Sequence, residues 1–414
     1  MRRAGLAVAF LTVALAERAE GHEPPVVTGM VAGSSREVVL RTTRGLVVGD
    51  LDGGPFSLQC LEYSAFLPAE TPSLTFFGET LFVSGIDGLA SMSAKGCDLS
   101  RPAIFAGVPM TDVQQRPDGS LLLLTTGAGM VNDAWTTRDG EVWQPRELGL
   151  SQTLYSTLRP FGAGEVATGV RVDVAAGRPV HFIREVSGTT VAAELPVEVG
   201  PEGYRVHLLD VRDGAEPEAL VLVDQYRESA TADRVLRYRG GVTEELLAAD
   251  EVVDARYGPD GAIYAATAEG LLRRGADGSV GVVGDGRRAT MVAVADGSVF
   301  TATEYYIDGC ALCRVEGDRL VSLLRFGEIA GPTVCGDAPG VCDDDWADWR
   351  LEIEPAEAGA GSGSGASGSG EVEAPNLSSR SRAGCGAAAG GSALGVTLFG
   401  LLLLRRRYRA VPSK

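Results

Sequence analysis

Histidine and lysine are nearly missing from this chain of 414 residues: three histidines, His22, His181 and His207, and two lysines, Lys95 and Lys414. His181 and His207 fall in different repeat units, so a histidine metal centre or a Ser-His-Asp triad is poorly supplied. Each is read as a packed or surface residue. No phosphate-binding loop, dinucleotide fingerprint or nucleic-acid module occurs. No basic patch offsets the net charge of −18, a field that repels nucleic acid and favours solubility. Helical periodicity is scarce. The basic residues are arginine almost throughout, 35 of them, and composition alone assigns that bias no structural role.

What is present is β-forming. Hydrophobic residues make up 45% of the chain, enough for a sizeable core, and 55 glycines punctuate short Val/Leu/Thr-rich runs. From Val26 to Ile353 one phrase recurs: apolar run, glycine turn, apolar run, then an Asp-Gly turn. Arg116-Pro-Asp-Gly-Ser-Leu-Leu-Leu-Leu, Gly258-Pro-Asp-Gly-Ala-Ile-Tyr-Ala-Ala and Ala295-Asp-Gly-Ser-Val-Phe are examples, and such dipeptides before β-formers signal hairpins. Neighbouring units lie about 35 to 50 residues apart, the range of β-propeller blades. The fold expected over 26–353 is therefore an all-β propeller of six or seven blades, with a β-sandwich pair or a β-helix as the competing architectures. Seven units fall near 26–70, 71–108, 109–150, 151–198, 199–248, 249–286 and 287–330. The stretch from Ser151 to Ala248 is expected to carry the most elaborate loops, and Trp346 and Trp349 to close the last blade onto the first.

Two turns carry a further phrase, Thr137-Arg138-Asp139-Gly140-Glu141-Val142-Trp143 and Asp50-Leu51-Asp52-Gly53-Gly54-Pro55-Phe56. They resemble the Asp-box of sialidase-type propellers, each one residue short before the aromatic. The resemblance implies a structural role: Asp139 and Asp52 bond turn amides next to Gly140 and Gly53, while Trp143 and Phe56 pack between blades. A sialidase would also need an arginine cluster, a tyrosine nucleophile and a glutamate. Arg36, Arg41, Glu304 and Tyr305 are available in no diagnostic arrangement, so no catalytic residue is assigned.

Seven cysteines occur. Cys60 and Cys97 lie in adjacent units, and Cys310, Cys313, Cys335 and Cys342 cluster late. In an exported chain, disulfides are the expectation for these six, with the pairing open. Zinc is the weaker alternative, because the second pair is too widely spaced and no histidine is near. No cofactor is expected. Calcium at Asp343, Asp344 and Asp345 is disfavoured, since consecutive carboxylates point apart.

The two ends carry addresses. Met1-Arg2-Arg3, the apolar run from Ala4 to Ala16 and the small-residue site Ala14-Leu15-Ala16 read as a signal peptide over 1–16; a retained anchor is the alternative. Residues 354–381 read as a flexible Gly/Ser-rich linker. Residues 387–404 are apolar and uncharged, about 27 Å as a helix, just long enough to span a bilayer. Arg405, Arg406 and Arg407 lead a basic tail over 405–414 that should stay cytoplasmic. The order of Gly384-Cys385-Gly386 (within 382–386), apolar helix and arginine stop resembles the MYXO-CTERM sorting signal of myxobacterial envelope proteins. That resemblance implies processing and attachment at Cys385 by an export and sorting machinery, although Ala387 stands where members often show a second cysteine.

The expected role is thus a surface binding module for a protein or glycan, without catalysis, held at the envelope of a Gram-negative bacterium by a transmembrane helix. A degenerate propeller glycosidase or metal-dependent lactonase is one alternative; a structural envelope component is another.

Overall fold

The computed structural model describes residues 25–350 apart from 35, 61–72, 128–130, 149–152, 174–177, 200–202, 226–231, 305–308, 334–345 and 348. The signal peptide, linker, sorting motif and C-terminal helix expected from the sequence lie outside the described residues, as do Cys335, Cys342, Asp343 to Asp345 and Tyr305.

The chain folds as a seven-bladed β-propeller. Blade 1 is β1–β4 (Val27–Ala32, Glu37–Thr42, Gly45–Asp50, Ser57–Cys60), and blade 2 is β5–β7 (Ser73–Phe77, Thr80–Gly85, Gly88–Ser93). Blade 3 is β8–β11 (Met110–Gln115, Leu121–Gly127, Val131–Thr137, Gln144–Arg146), and blade 4 is β12–β15 (Thr153–Phe161, Gly164–Asp173, Arg178–Ser187, Thr190–Val197). Blade 5 is β16–β19 (Gly203–Arg212, Glu218–Gln225, Asp233–Arg239, Val242–Ala249). Blade 6 is β20–β23 (Asp254–Tyr257, Ile263–Thr267, Gly270–Arg274, Val280–Val283), and blade 7 is β24–β27 (Ala289–Ala295, Ser298–Thr303, Cys310–Glu316, Arg319–Arg325). Every blade is an antiparallel meander of consecutive strands. Contacts between blades run mainly through their first strands, which therefore line the axis. Of the six or seven blades expected, the count is seven.

Each sheet is apolar on both sides because each side meets a neighbour. In β9, Leu122 and Leu124 pack toward blade 4 while Leu121 and Leu123 pack toward blade 2. In β17, Leu220 and Leu222 face blade 6 while Ala219, Val221 and Val223 face blade 4. This is why the second strands read as unbroken apolar runs rather than alternating ones. The apolar clusters fall one at each blade junction.

The meander also divides the connections between two ends of the ring. First-to-second and third-to-fourth strand turns share one end, the turn face. The repeated Asp-Gly phrases lie here, in one geometry. Gly119 and Gly261 take φ of 75° and 77°, their amides donate to Arg116 and Gly258 carbonyls, and Asp118 and Asp260 accept the amides of Ser120 and Ala262. The left-handed backbone there explains the glycine. Second-to-third connections and those leaving a fourth strand join strand ends at the opposite end, the loop face, and run from 2 residues (43–44) to 12 (61–72). Blade 2 has three strands, so the 16 residues at 94–109 leave from the turn face and cross beside β7 to reach β8. In Ser151 to Ala248, expected to be rich in loops, much of the extra length goes into strands instead: β13, β14 and β16 have 10 residues each.

Several first strands carry a bulge, and the extra residue is often a hydroxyl: Thr28, Thr111, Ser156 and Thr290. Thr28, Ser156 and Thr290 lie with Oγ 3.1–3.5 Å from a carbonyl of the adjacent strand, answering locally for a slipped register.

Among the described residues no strand is shared between blades 1 and 7. The ring closes instead by a segment after β27 that runs parallel to β4: Ala330 N donates to Phe56 O, Leu58 N to Gly331 O and Thr333 N to Leu58 O, each at 2.7 Å. Trp349, 1% exposed, fills the junction against Phe326, Leu58 and Met291, with Trp346 packed beside it. The two tryptophans thus join the last blade to the first, as their position in the sequence implies.

Trp349→Ala is expected to lower unfolding stability by about 3–5 kcal/mol through the cavity it leaves, read as a drop in guanidinium midpoint. A change below about 1 kcal/mol would show that the ring closes without this side chain.

Candidate functional site

The axis is the one place where all seven blades converge, and its walls are charged. Arg41, at the end of β2, lies across Gly29 of β1, where a Cβ would stand 3.0 Å from the guanidinium. Its Nη2 donates to Thr28 O at 2.5 Å and its Nε to Thr28 Oγ1 at 3.0 Å. Burial pulls its pKa down to about 10, with the Asp254 carboxylate opposing and Arg256 adding to the depression. Arg41 of blade 1 therefore shares a field with two residues of blade 6.

Three first strands carry an aspartate followed by an apolar residue and then Gln or Arg: Asp112-Val-Gln, Asp210-Val-Arg and Asp254-Ala-Arg. These carboxylates clasp neighbouring blades. Asp210 accepts its own Val211 amide (2.9 Å) and the Tyr257 amide of blade 6 (2.9 Å). Asp254 accepts Ala255 N (2.9 Å) and reaches Val292 N of blade 7 (3.4 Å). Asp112, 3% exposed, accepts Ser73 Oγ of blade 2 (2.8 Å) and pairs with Arg159 of blade 4. The arginines reciprocate. Arg256 donates to Leu209 O of blade 5, and Arg212 lies 4.5 Å over the Tyr257 ring. Desolvation works against the Arg256 charge, but Asp254 and Asp210 hold its pKa above the usual value. Desolvation also raises the pKa of Asp254, which Arg256 and two amides only partly offset. Acid–amide, acid–hydroxyl and acid–guanidinium bonds of the first strands thus tie blades 2 to 4 together and blades 5 to 7 together.

The turn at 137–143 is capped by its own aspartate. Asp139 Oδ1 accepts Glu141 N (2.9 Å), Val142 N (2.8 Å) and the Thr137 hydroxyl (2.8 Å). Those bonds hold its carboxyl below the usual carboxylate range. Gly140 takes φ of 79°, and Trp143 packs edge-on to Phe82 and Phe105, between blades 2 and 3. In the turn at 50–56 a different aspartate does the capping: Asp50 Oδ1 accepts Asp52 N (2.7 Å), while Asp52 pairs with Arg36 (2.7 Å). Gly53 is left-handed with open space around it, and Phe56 is buried over Gly49, where any Cβ would collide with the ring.

Cys310 and Cys313 form a disulfide inside β26. In a regular strand residues three apart face opposite sides; register slips at Cys310/Leu312 and Leu312/Cys313 bring the two together. Cys97 is disulfide-bonded as well, and Cys60 ends β4. Among the described residues no group of three or more His, Cys, Asp or Glu is arranged to hold a metal. Arg36 lies on the turn face, paired with Asp52 and, at 3.7 Å, with Asp296 of blade 7, and Glu304 is 3.6 Å from Arg288. Neither joins Arg41.

His181 and His207, distant in sequence, are near enough for one charge to act on the other. Burial, with Arg205 and His181 adding to it, pulls His207 down to about 3, and its Nε2 is buried without a partner.

Asp210→Ala should destabilise the ring by about 1–3 kcal/mol by orphaning the Tyr257 amide, measured by chemical denaturation; no change would mean the carboxylate clasps nothing. His207 is neutral when folded but takes a proton near pH 6.5 when unfolded. Its contribution is therefore fully present above about pH 6.5 and is lost as pH falls toward 3, by at most about 1.4 kcal/mol per unit. Melting temperature should drop between pH 6.5 and 4.5, and His207→Leu should flatten that slope; an unchanged slope would remove His207 as its source.

No family model matches this chain, and no curated protein sequence matches it. Solved structures with a similar fold include hydrazine synthase of Kuenenia stuttgartiensis (12% identity, TM-score 0.48, covering 73% of this chain and 99% of that one). The β-propeller domain of the Trilobed protease of Pyrococcus furiosus, described as having an open velcro topology, aligns at 13% identity and TM-score 0.47, over 71% of this chain and 93% of that one. The extracellular domain of a proposed one component system of B. thetaiotaomicron aligns at 11% identity and TM-score 0.44, over 69% of this chain; this chain spans only 38% of that one. These are likenesses of differently named proteins, and none carries a function across.

Proposed function

We propose that the chain is an exported propeller, leashed to the cell envelope by its C-terminal helix, that uses its loop face to bind a protein or glycan and performs no catalysis. The observation that carries this reading is how the axial carboxylates are used. Asp112, Asp210 and Asp254 are the acids of the first strands, where a propeller hydrolase would place its acid, base or metal ligands, yet each spends oxygens on a neighbouring blade's amide, hydroxyl or guanidinium. A group bonded in this way has little capacity left to exchange protons or coordinate an ion. The uneven connections of the loop face, from 2 to 12 residues, support a binding surface on a rigid scaffold.

The leash fits this role. Residues 354–381 make a 28-residue linker whose flexible-coil span is about 30 Å, enough to let the ring tumble clear of the bilayer. The arginine-stopped apolar stretch and the N-terminal signal support export with the linker outside.

The full-length chain, incubated with fluorogenic glycosides and lactones with and without calcium, should show no turnover above the buffer rate, while an array of envelope glycans should show saturable binding. Robust turnover that disappears in Asp254→Asn would overturn the binding reading in favour of a hydrolase. Mass spectrometry of protein from its native cells tests the address: untrimmed termini in a cytosolic fraction would sink it.

A further inference from the structure

The outermost strand of a blade exposes an unpaired row of amides and carbonyls, a template for any passing strand. In most blades this edge is guarded. The segment at 330–333 covers β4, and Ser100 pairs across to Ser91 of β7. Prolines interrupt β11 (Pro145) and β15 (Pro196), and charges mark β19 (Glu244, Glu245) and β27 (Arg319, Arg325). Blade 6 is different. Its outer strand β23 reads Val-Gly-Val-Val, with neither charge nor proline, and among the described residues it pairs only with β22.

Val280 and Val282 of that strand are 50% and 48% exposed. They form one wall of a groove of about 670 Å³ between β23 and β19, floored by Leu247 and Leu272. Gly281 lies between the valines. A Cβ there would meet nothing within 4 Å, and its φ is not positive, so neither space nor backbone requires glycine. A glycine that the fold does not need within a strand marks a place of close backbone approach. The groove's two charged residues are acidic, Asp250 and Glu269, both exposed, and neither carries an ion pair among the described residues. The ring itself shows that a blade edge accepts such an addition, since β4 already takes the extended segment at 330–333.

We infer that the open edge of blade 6 binds an extended segment of a partner protein, apolar with interspersed arginine or lysine, which adds as a fifth strand while its side chains fill the groove between blades 5 and 6. Main-chain bonds to β23 supply the register, the valines and leucines supply apolar contact, and Asp250 and Glu269 select for basic residues. Four strand residues span about 13 Å, enough to read a core of four or five residues. The groove opens where the outer rim meets the loop face, since Asp250 and Glu269 lie in loop-face connections; the inference rests on the binding reading and names a partner class for this one sector, and the peptide assay can fail while the glycan array still shows binding.

The test uses a fluorescein-labelled peptide, Thr-Arg-Val-Arg-Val-Thr, titrated against the full-length chain in mild detergent and followed by fluorescence anisotropy. Saturable binding is expected in the micromolar range, weakened about tenfold by Glu269→Lys and by Val282→Asp, and lost when alternate peptide amides are N-methylated. Val142→Asp, at another exposed valine, should leave binding unchanged, and circular dichroism melts should show that all three variants remain folded. Any one of three results would overturn the inference: no binding at millimolar peptide, binding indifferent to the groove variants, or a concentration-dependent dimer abolished by Val282→Asp, which would make a second copy of the chain the occupant.

Discussion

A small antiparallel sheet with apolar side chains on both faces cannot cover itself, and that deficit organises this molecule. Every blade supplies two faces, and every face finds its cover on a neighbour: Val38 and Leu40 of β2 turn toward blade 7 while Val39 turns toward blade 2. Such an arrangement has no natural end short of a ring. Strand pairing within each blade is between consecutive strands, so nearly all of it is local. The junction between blades 1 and 7 is the exception, joining Ser57 to Thr333 across 276 residues of chain. It is reinforced accordingly, with three main-chain bonds, a hydroxyl pair and the buried indole of Trp349.

Burying sheet faces leaves polar backbone near the axis that also needs partners, and the aspartates of the first strands meet that need. Their use of arginine as counterpart gives part of the scarcity of lysine a structural reading. A guanidinium holds several bonds in one plane. Arg41 grips both oxygens of Thr28, Arg146 and Arg116 converge on Glu165, which is 3% exposed, and Arg184 bonds Tyr155 and Glu194 while lying 4.2 Å over the Phe182 ring. A lysine ammonium has three donors but neither the planar fork that matches paired oxygens nor the flat face that lies over a ring.

Much of this architecture was legible in the chain because its signals are local. Pro-Asp-Gly turns declare a hairpin within five residues, and each of the seven sequence windows encloses one sheet, with only the last residue of β19 beyond its window. The Asp139 turn and the closing tryptophans were likewise readable from neighbours in sequence. What escaped depends on backbone detail. Asp52 does not cap the first turn as Asp139 caps the third blade's: Pro55 stands where Val142 donates its amide to Asp139, and proline has no N–H to give, so Asp50 does the capping instead. A pairing of Cys310 with Cys313 contradicts regular strand geometry until bulges are known. The axial aspartates had a signal, Asp-apolar-Gln/Arg in three units, but a phrase of three residues with no constant spacing does not announce itself. Nothing in sequence places His181 beside His207, since that proximity belongs to the packing of blades 4 and 5.

The proposed leash and the observed closure bear on one another. Linker residues begin shortly after Trp349, so any pull through the C-terminal anchor reaches the ring at the junction of blades 1 and 7, its one non-local seam. A load there meets the segment at 330–333, which lies parallel to β4 and is held by three main-chain hydrogen bonds. It also meets Trp349 and Trp346, whose withdrawal would expose the apolar cluster shared by both blades. Under the proposed tether, load would enter at this closure, and freeing the segment would also withdraw the buried indole of Trp349 from its cluster.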